Sequence, residues 1–247
     1  MAGHSHWAQI KHKKAKIDAQ RGKVFTKIIR EITVAVREGG PDPDTNPRLR
    51  TAIDNARKVN MPSDTIERAI KKGTGELGGE NYEEVIYEGY APAGVALMII
   101  TYTDNRNRTT SEIRHMLSKH GGNLGSSGCV SFLFDRVGII EVPKEGLEEE
   151  ELYEKVIEAG AEDVEVGEVS YTIYTRPEDL YHVKEALMGF QVERAELAYK
   201  PNNLVPIRDL ETARKVLKLI DTLEDLDDVK EVIANFDMPK ELMETSL

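Results

Sequence analysis

The first residues hold the side chains best placed to do chemistry. "GHSHWAQIKHKKAKIDAQRGK", Gly3–Lys23, carries three histidines, a tryptophan and six lysines and arginines, in a chain whose net charge is −11. Lys11, Lys13, Lys14, Lys16, Arg21 and Lys23 are point charges suited to phosphates, with salt-dependent contacts. Trp7 and the histidines beside it could stack on unpaired bases, and Gly3 and Gly22 leave the arm pliable. As metal ligands, His4, His6 and His12 lack cysteine or carboxylate partners at structural-zinc spacing. With Met1 removed, Ala2-Gly3-His4 could wrap a square-planar Cu(II) or Ni(II) through the amine, two backbone amides and the imidazole. No secretory leader is expected, because no apolar stretch follows the basic start, and a transit peptide would be rich in arginine and serine instead.

A second patch is "TDNRNRT", Thr103–Thr109. It joins a strand end to a helix N-terminus, where backbone N–H groups favour anions. Arg106 and Arg108 could add forked phosphate contacts there. Equally, Asn105 and Asn107 could serve turns while the arginines pair with local acids. "HGGNLGSSG", His120–Gly128, is a polar glycine loop at the far end of that helix. "GTGELG", Gly73–Gly78, matches the dinucleotide pattern G-x-G-x-x-G but follows a helix and precedes strands, so it reads as a linker. Cys129 with His115 or His120 would make a nucleophile–base pair without an orienting group. Cys129 opens an apolar run that reads as a strand, where a small buried thiol is the ordinary state. Carboxylate runs such as Glu148–Glu151 read as helix surface. With no catalytic constellation, neither an enzyme nor a bound cofactor nor a small-molecule substrate is expected.

Charge is divided sharply along the 247 residues. Residues 1–75 hold 16 Lys+Arg and 8 Asp+Glu, and the rest hold 17 and 36, so a +8 segment precedes a −19 body. That asymmetry points to a polyanion-facing N-terminal module. A single cysteine rules out an intrachain disulfide and suits a reducing cytoplasm. The longest apolar run, Val95–Ile100, is too short to span a bilayer, so no membrane partner is expected.

The elements that must position these groups follow from periodicity. Val24, Phe25, Ile28, Ile29, Ile32 and Val36 mark one face of a helix ending at Gly39-Gly40. Asn46 and Pro47 open a second helix striped by Leu49, Ile53, Ala56 and Val59. Ile66, Ala69 and Ile70 mark a short third. "VIYEGY" and "GVALMIITYT" read as strands. "TTSEIRHMLSKHGG" reads as a helix with a Thr109/Glu112 capping box, and "CVSFLF" as a strand. Residues 136–200 then spell strand, helix, strand, strand, helix, strand, the ferredoxin-like unit. The tail adds a helix, "LETARKVLKLIDTLEDL", and a strand, "VKEVIANF", which complete the unit begun at residue 80. The expected fold class is α+β: an N-terminal helical domain followed by two ferredoxin-like α/β sandwiches, one inserted in the other. The boundaries are a basic arm, 1–23; a helical domain, 24–79; a split α/β domain, 80–135 plus 201–247; and the inserted βαββαβ domain, 136–200.

"AGHSHWAQIKHKKAKIDAQRGKVFTKIIREITVAVREGG", "NPRLRTAIDNARKVNMPSDTIERAIKKGTG" and "TDNRNRTTSEIRHMLSKHGGNLGSSGCVSFLF" closely resemble the YebC family, whose mitochondrial relatives act as translational activators of cytochrome c oxidase. The resemblance runs over essentially the whole chain. His6 stands where the family has lysine, Ala93 where "APGG" has glycine, and Cys129 where a small polar residue is usual; the last two read as tolerated packing changes. The resemblance implies three domains and a cytoplasmic, non-enzymatic regulator of gene expression. The expected nucleic-acid contacts are His6, Trp7, Lys11, Lys13, Lys14, Lys16, Arg21, Lys23 and Lys27, with Arg48 and Arg50 of the second helix and Arg106 and Arg108. Two partners stay open: DNA, for a transcriptional regulator, or ribosomal RNA, for a ribosome-associated translation factor that docks through the arm.

Overall fold

The computed structural model describes residues 21–79 and 81–245. Helix α1 (Arg21–Gly39) turns Ile28, Ile32, Ala35 and Val36 inward, the three- and four-residue steps of one helical face. Asn46 starts α2 (Pro47–Lys58). Its side-chain oxygen accepts from the Leu49 amide at 3.0 Å, and its amide group donates to the carbonyls of Ala35 at 2.7 Å and Gly40 at 2.8 Å. One side chain thus caps the second helix and closes the loop onto the first. Helix α3 (Ser63–Thr74) adds Ile66 and Ala69 to a core with Leu49, Ala52, Ile53 and Met61. It stops at Gly75, whose φ of 84° lies in the left-handed region that glycine enters without a Cβ clash. That is the work of "GTGELG": a helix stop.

Strands β1 (Glu83–Tyr90) and β2 (Ala96–Thr103) pair antiparallel, followed by α4 (Arg106–Lys119) and the short β3 (Asn123–Leu124). The chain then builds a separate compact unit, Phe134–Asn202. Its path is β4 (Phe134–Pro143), α5 (Glu149–Glu158), β5 (Asp163–Val166), β6 (Ser170–Thr175), α6 (Leu180–Ala186) and β7 (Arg194–Pro201). The strands lie in the order β5-β6-β4-β7, all antiparallel, with β4 bonded along both edges. Leu152 and Val156 of α5 and Leu180 and Val183 of α6 cover Ile140, Val142 and Ile173 on one sheet face. The other face carries Val137, Ile139, Tyr174 and Ala198, with the Lys200 ammonium 3.8 Å from the Tyr174 ring centre.

The chain returns through β8 (Val205–Pro206), α7 (Leu210–Glu224), β9 (Val229–Ala234), β10 (Phe236–Asp237) and α8 (Lys240–Thr245). β9 adds to β2, giving the sheet β3-β1-β2-β9, and β10 pairs parallel with β8. Every residue of β2 is buried. Ile113 and Leu117 of α4 and Val216, Leu217, Ile220 and Leu223 of α7 pack on Leu97, Ile99 and Val232. Burying each such side chain contributes about 1.5–3 kcal/mol. The α+β class holds, as do the helical start and the insertion of one α/β sandwich into another.

Two buried carboxylates organise the loops around this second sheet. Asp228, with its side chain 3% exposed, accepts from Arg30 Nη1 of α1 at 2.6 Å, from Thr109 Oγ1 at 2.6 Å and from Arg108 Nη2 at 2.9 Å. Lys230 reinforces the α1 contact through Glu31 at 3.1 Å. Glu88 on β1 gathers the backbone N–H groups of Gly128, of Val130 at 3.0 Å and of Ser131 at 2.7 Å. Burial works to raise the Glu88 carboxyl, but these donors outweigh it and hold it below the usual carboxylate range.

These carboxylates correct the sequence reading. "CVSFLF" is not a strand from Cys129: residues 129–130 bend, Ser131–Leu133 form a 3-10 turn, and β4 begins at Phe134. Neighbouring N–H groups of a strand point to opposite sides, so a strand could not aim Val130 and Ser131 at one carboxylate. Helix α4 begins at Arg106 with Asn105 as its cap, not at a Thr109 capping box, because Thr109 is buried and bonded to Asp228. Ala93 is a matter of backbone and not of packing, since its φ of 63° and ψ of 17° are left-handed.

Asp228→Ala leaves Arg30 and Arg108 without their shared partner and should cost about 3 kcal/mol in urea unfolding. Glu88→Gln should cost about 2 kcal/mol at neutral pH. Because the Glu88 carboxyl is depressed on folding, that difference is full above about pH 4.3, the unfolded value, and shrinks as pH falls through the lower folded value. Unfolding curves taken from pH 7 to pH 3 check both sign and window. Ala93→Gly should stabilise the protein by about 0.5 kcal/mol, the relief of left-handed strain net of glycine's entropy; its thermal midpoint should rise by a degree or more.

Candidate nucleic-acid interface

Of the expected contacts, His6, Trp7, Lys11, Lys13, Lys14 and Lys16 lie outside the described residues, as does Ala2-Gly3-His4. Arg21 is the first described residue of α1. The others can be followed from helix geometry to their partners.

Lys23, Lys27 and Arg30 fall on one side of α1 at steps of four and three. They meet the C-terminal end of α7, where carbonyls lack helical partners and the dipole is negative. Lys27 Nζ donates to the Glu224 carbonyl at 2.5 Å and Lys23 Nζ to that of Asp225 at 3.5 Å. Arg30 Nη1 donates to the Asp227 carbonyl at 2.6 Å besides pairing with the Asp228 carboxylate. This basic row therefore caps a helix and ties the helical domain to "EDLDD". Arg30, Thr109 and Asp228 were not among the expected functional residues. The signal was present in the spacing of residues 23, 27 and 30 and in the opposite charge of residues 224–228.

Arg48 at the start of α2 reaches across to the second sheet. It pairs with Glu38 and with Glu84, donates to the Tyr102 hydroxyl at 3.1 Å and lies over that ring at 5.7 Å. Burial, chiefly, pushes the Tyr102 hydroxyl up to about 12, so it stays protonated beside Arg48 at neutral pH. Arg50 donates to the carbonyls of Pro43 and Asp44, both at 3.0 Å, and so holds the loop before α2.

At "TDNRNRT" the second of the two alternatives is realised. The Asn105 side chain accepts from the Arg108 amide at 3.0 Å and caps α4. Arg106 forks onto Glu83 at 2.6 and 2.7 Å, and Arg108 bridges Asp104 and Asp228. The Arg106 hydrogen bonds hold the Glu83 carboxyl below the usual range, and those of Arg108 do the same for Asp104. Arg106 and Glu83 are 64% and 42% exposed, so solvent screens this pair and it can open to a competing anion. Arg108 is 40% exposed while it holds both Asp104 and Asp228.

The remaining candidates resolve simply. Burial, then the Glu88 charge, pushes the Cys129 thiol up, away from the thiolate that a nucleophile needs. Gly128, at the end of the glycine loop after α4, and Val130 and Ser131 just beyond it hold the Glu88 carboxylate on their backbone N–H groups. Among the described residues, no three His, Cys, Asp or Glu side chains group so as to hold a metal ion. No described helix is long and apolar enough to cross a membrane.

Comparison with known proteins adds the relatives. Residues 5–76 match the family model described as the TACO1/YebC protein N-terminal domain, and residues 82–236 match that of the TACO1/YebC second and third domain. A protein of Aquifex aeolicus, called "Probable transcriptional regulatory protein", is 65% identical over 99% of this chain and 99% of its own. One of Persephonella marina with the same name is 62% identical over the same shares. The crystal structure of a conserved hypothetical protein from Aquifex aeolicus, 65% identical, superposes with a TM-score of 0.89 over 95% of this chain and 98% of that one. With both family models matched along nearly its full length, the chain belongs to the TACO1/YebC family.

Proposed function

We propose that the protein is a cytoplasmic, nucleic-acid-binding regulator of gene expression. It acts on transcription by holding duplex DNA through phosphate contacts that begin in the basic arm. The observation that carries this reading is the charge division: +8 in residues 1–75 against −19 in the rest. The names of its relatives support the transcriptional assignment. The pairing seen in the helical domain refines it. Lys23, Lys27, Arg48 and Arg50 have internal partners, so the first polyanion contacts fall to Trp7, Lys11, Lys13, Lys14 and Lys16. In this reading the protein binds and does not catalyse, consistent with the raised Cys129 thiol.

One observation favours a second reading. Arg48 and Arg50 of α2 turn to internal partners instead of presenting themselves to base edges. A protein that grips backbone without reading a groove also suits ribosomal RNA, and hence a translation factor.

Binding across a salt series separates the two. The full chain and a variant lacking residues 2–20 are titrated with duplex DNA and with ribosomes. The transcriptional reading expects duplex binding near physiological salt that weakens on deletion, with each lysine neutralised in the arm lowering the salt slope by roughly one. Weak duplex binding beside arm-dependent ribosome binding would replace it with the translational reading. Deletion without effect on either titration would remove the arm from both.

A further inference from the structure

The acidic body is not acidic everywhere. Helices α4 and α7 lie side by side on one face of the sheet β3-β1-β2-β9, their apolar stripes merged in one core. The turn after α4 brings them close, because Gly122 leaves room for both Leu117 and Leu219: a Cβ there would lie 3.2 Å from each and 2.4 Å from the Tyr90 carbonyl. The sides of both helices turned away from the sheet therefore form one continuous outer surface.

That surface is basic. Arg114 and Lys119 of α4 and Arg214, Lys215 and Lys218 of α7 are all exposed. Lys215 pairs with the exposed Glu211 at 2.6 Å, a bond that solvent weakens. The side chains of Arg114, Lys119, Arg214 and Lys218 form no ion pair or hydrogen bond with any described residue. They contrast with Arg48, Arg106 and Arg108, whose charges are answered internally. They contrast too with α5 of the inserted unit, whose surface is a run of glutamates. Arg114, Lys119, Arg214, Lys215 and Lys218 outnumber Glu112, Glu211, Asp221 and Glu224 of the same two helices, so this two-helix face is net positive within a −19 body.

We propose that the outer face of α4 and α7 is a second polyanion-binding surface, gripping the phosphate backbone of duplex DNA through Arg114, Lys119, Arg214 and Lys218. Exposed lysines and arginines on helices are suited to successive phosphates and carry no base information. The surface rests on the nucleic-acid reading above and changes it: the arm supplies one contact region and the split domain another, so the acidic body is held to the nucleic acid and not repelled by it.

The test uses the full-length protein and a mixed-sequence duplex across a salt series. The set Arg114→Gln, Lys119→Gln, Arg214→Gln and Lys218→Gln is compared with a charge-matched control in the inserted unit, Lys144→Gln, Lys155→Gln, Arg176→Gln and Lys184→Gln. The proposal expects the first set to lower the salt slope by about two to four, roughly one per lost contact, and the control to leave it near wild type. The arm-deleted chain should keep a salt-dependent remnant of duplex binding that the first set abolishes. Wild-type slope in the first set, or an equal loss in the control, overturns the surface and leaves the nucleic-acid reading standing. Wild-type protein that binds neither duplex DNA nor a structured RNA at low salt overturns that reading, and the surface with it.

Discussion

The carboxylate of Asp228, 3% exposed, is tolerable only because Arg30, Arg108 and Thr109 all donate to it. A buried charge without such partners costs several kcal/mol, so the three donors must be held where the carboxylate is. They come from α1 and from the first turn of α4. The Asp228 carbonyl also accepts from the Tyr102 amide of β2 at 2.8 Å. One residue therefore fixes the seat of the helical domain, the start of α4 and the alignment of a central strand. Around it the contacts agree. Lys230 meets Glu31, and Val34, Tyr82 and Tyr102 form a small apolar cluster between α1 and the sheet.

This constraint decides which cations are committed to the fold. A helix that docks on an acidic turn needs basic residues at the contact, and Lys23, Lys27 and Arg30 meet that need. The loop before α2 and the edge of β1 take Arg50, Arg48 and Arg106 in the same way. Part of the +8 in residues 1–75 is thus a structural charge that neutralises carbonyl ends and carboxylates of the acidic body. On the proposed reading, the contacts left for a polyanion belong to the arm and the exposed helical faces, so affinity would come from scattered phosphate contacts and not from a single recognition helix.

Glu88 shows the same logic on a smaller scale. A glycine- and serine-rich loop offers several free N–H groups, the usual makings of an anion cradle. Here the anion is supplied from within, by a β1 side chain held across the sheet edge. A loop of this composition can be an empty cradle or a filled one, and the difference lies in a residue some forty positions earlier.

How much was legible in the sequence follows from the range of the forces involved. Helix α1, the Asn46 cap, the Gly75 stop and the βαββαβ order are set by periodicity, capping chemistry and backbone freedom, all of which act over a few neighbouring residues. The insertion of one sandwich in another was legible too, because the tail holds the helix and strand that the first sheet lacks. The start of α4 at Arg106, the turn at Cys129 and the internal pairing of Lys23, Lys27, Arg48 and Arg108 were not. Each depends on a carboxylate or carbonyl far away in the chain, and local pattern carries no record of which charges will meet. The sequence by itself determined that this protein is a basic helical module on an acidic α/β body. Only the tertiary structure decided which of its cations bind the protein itself and which are left to bind something else, because Coulomb and hydrogen-bond partners are chosen by distance in space and not by distance along the chain.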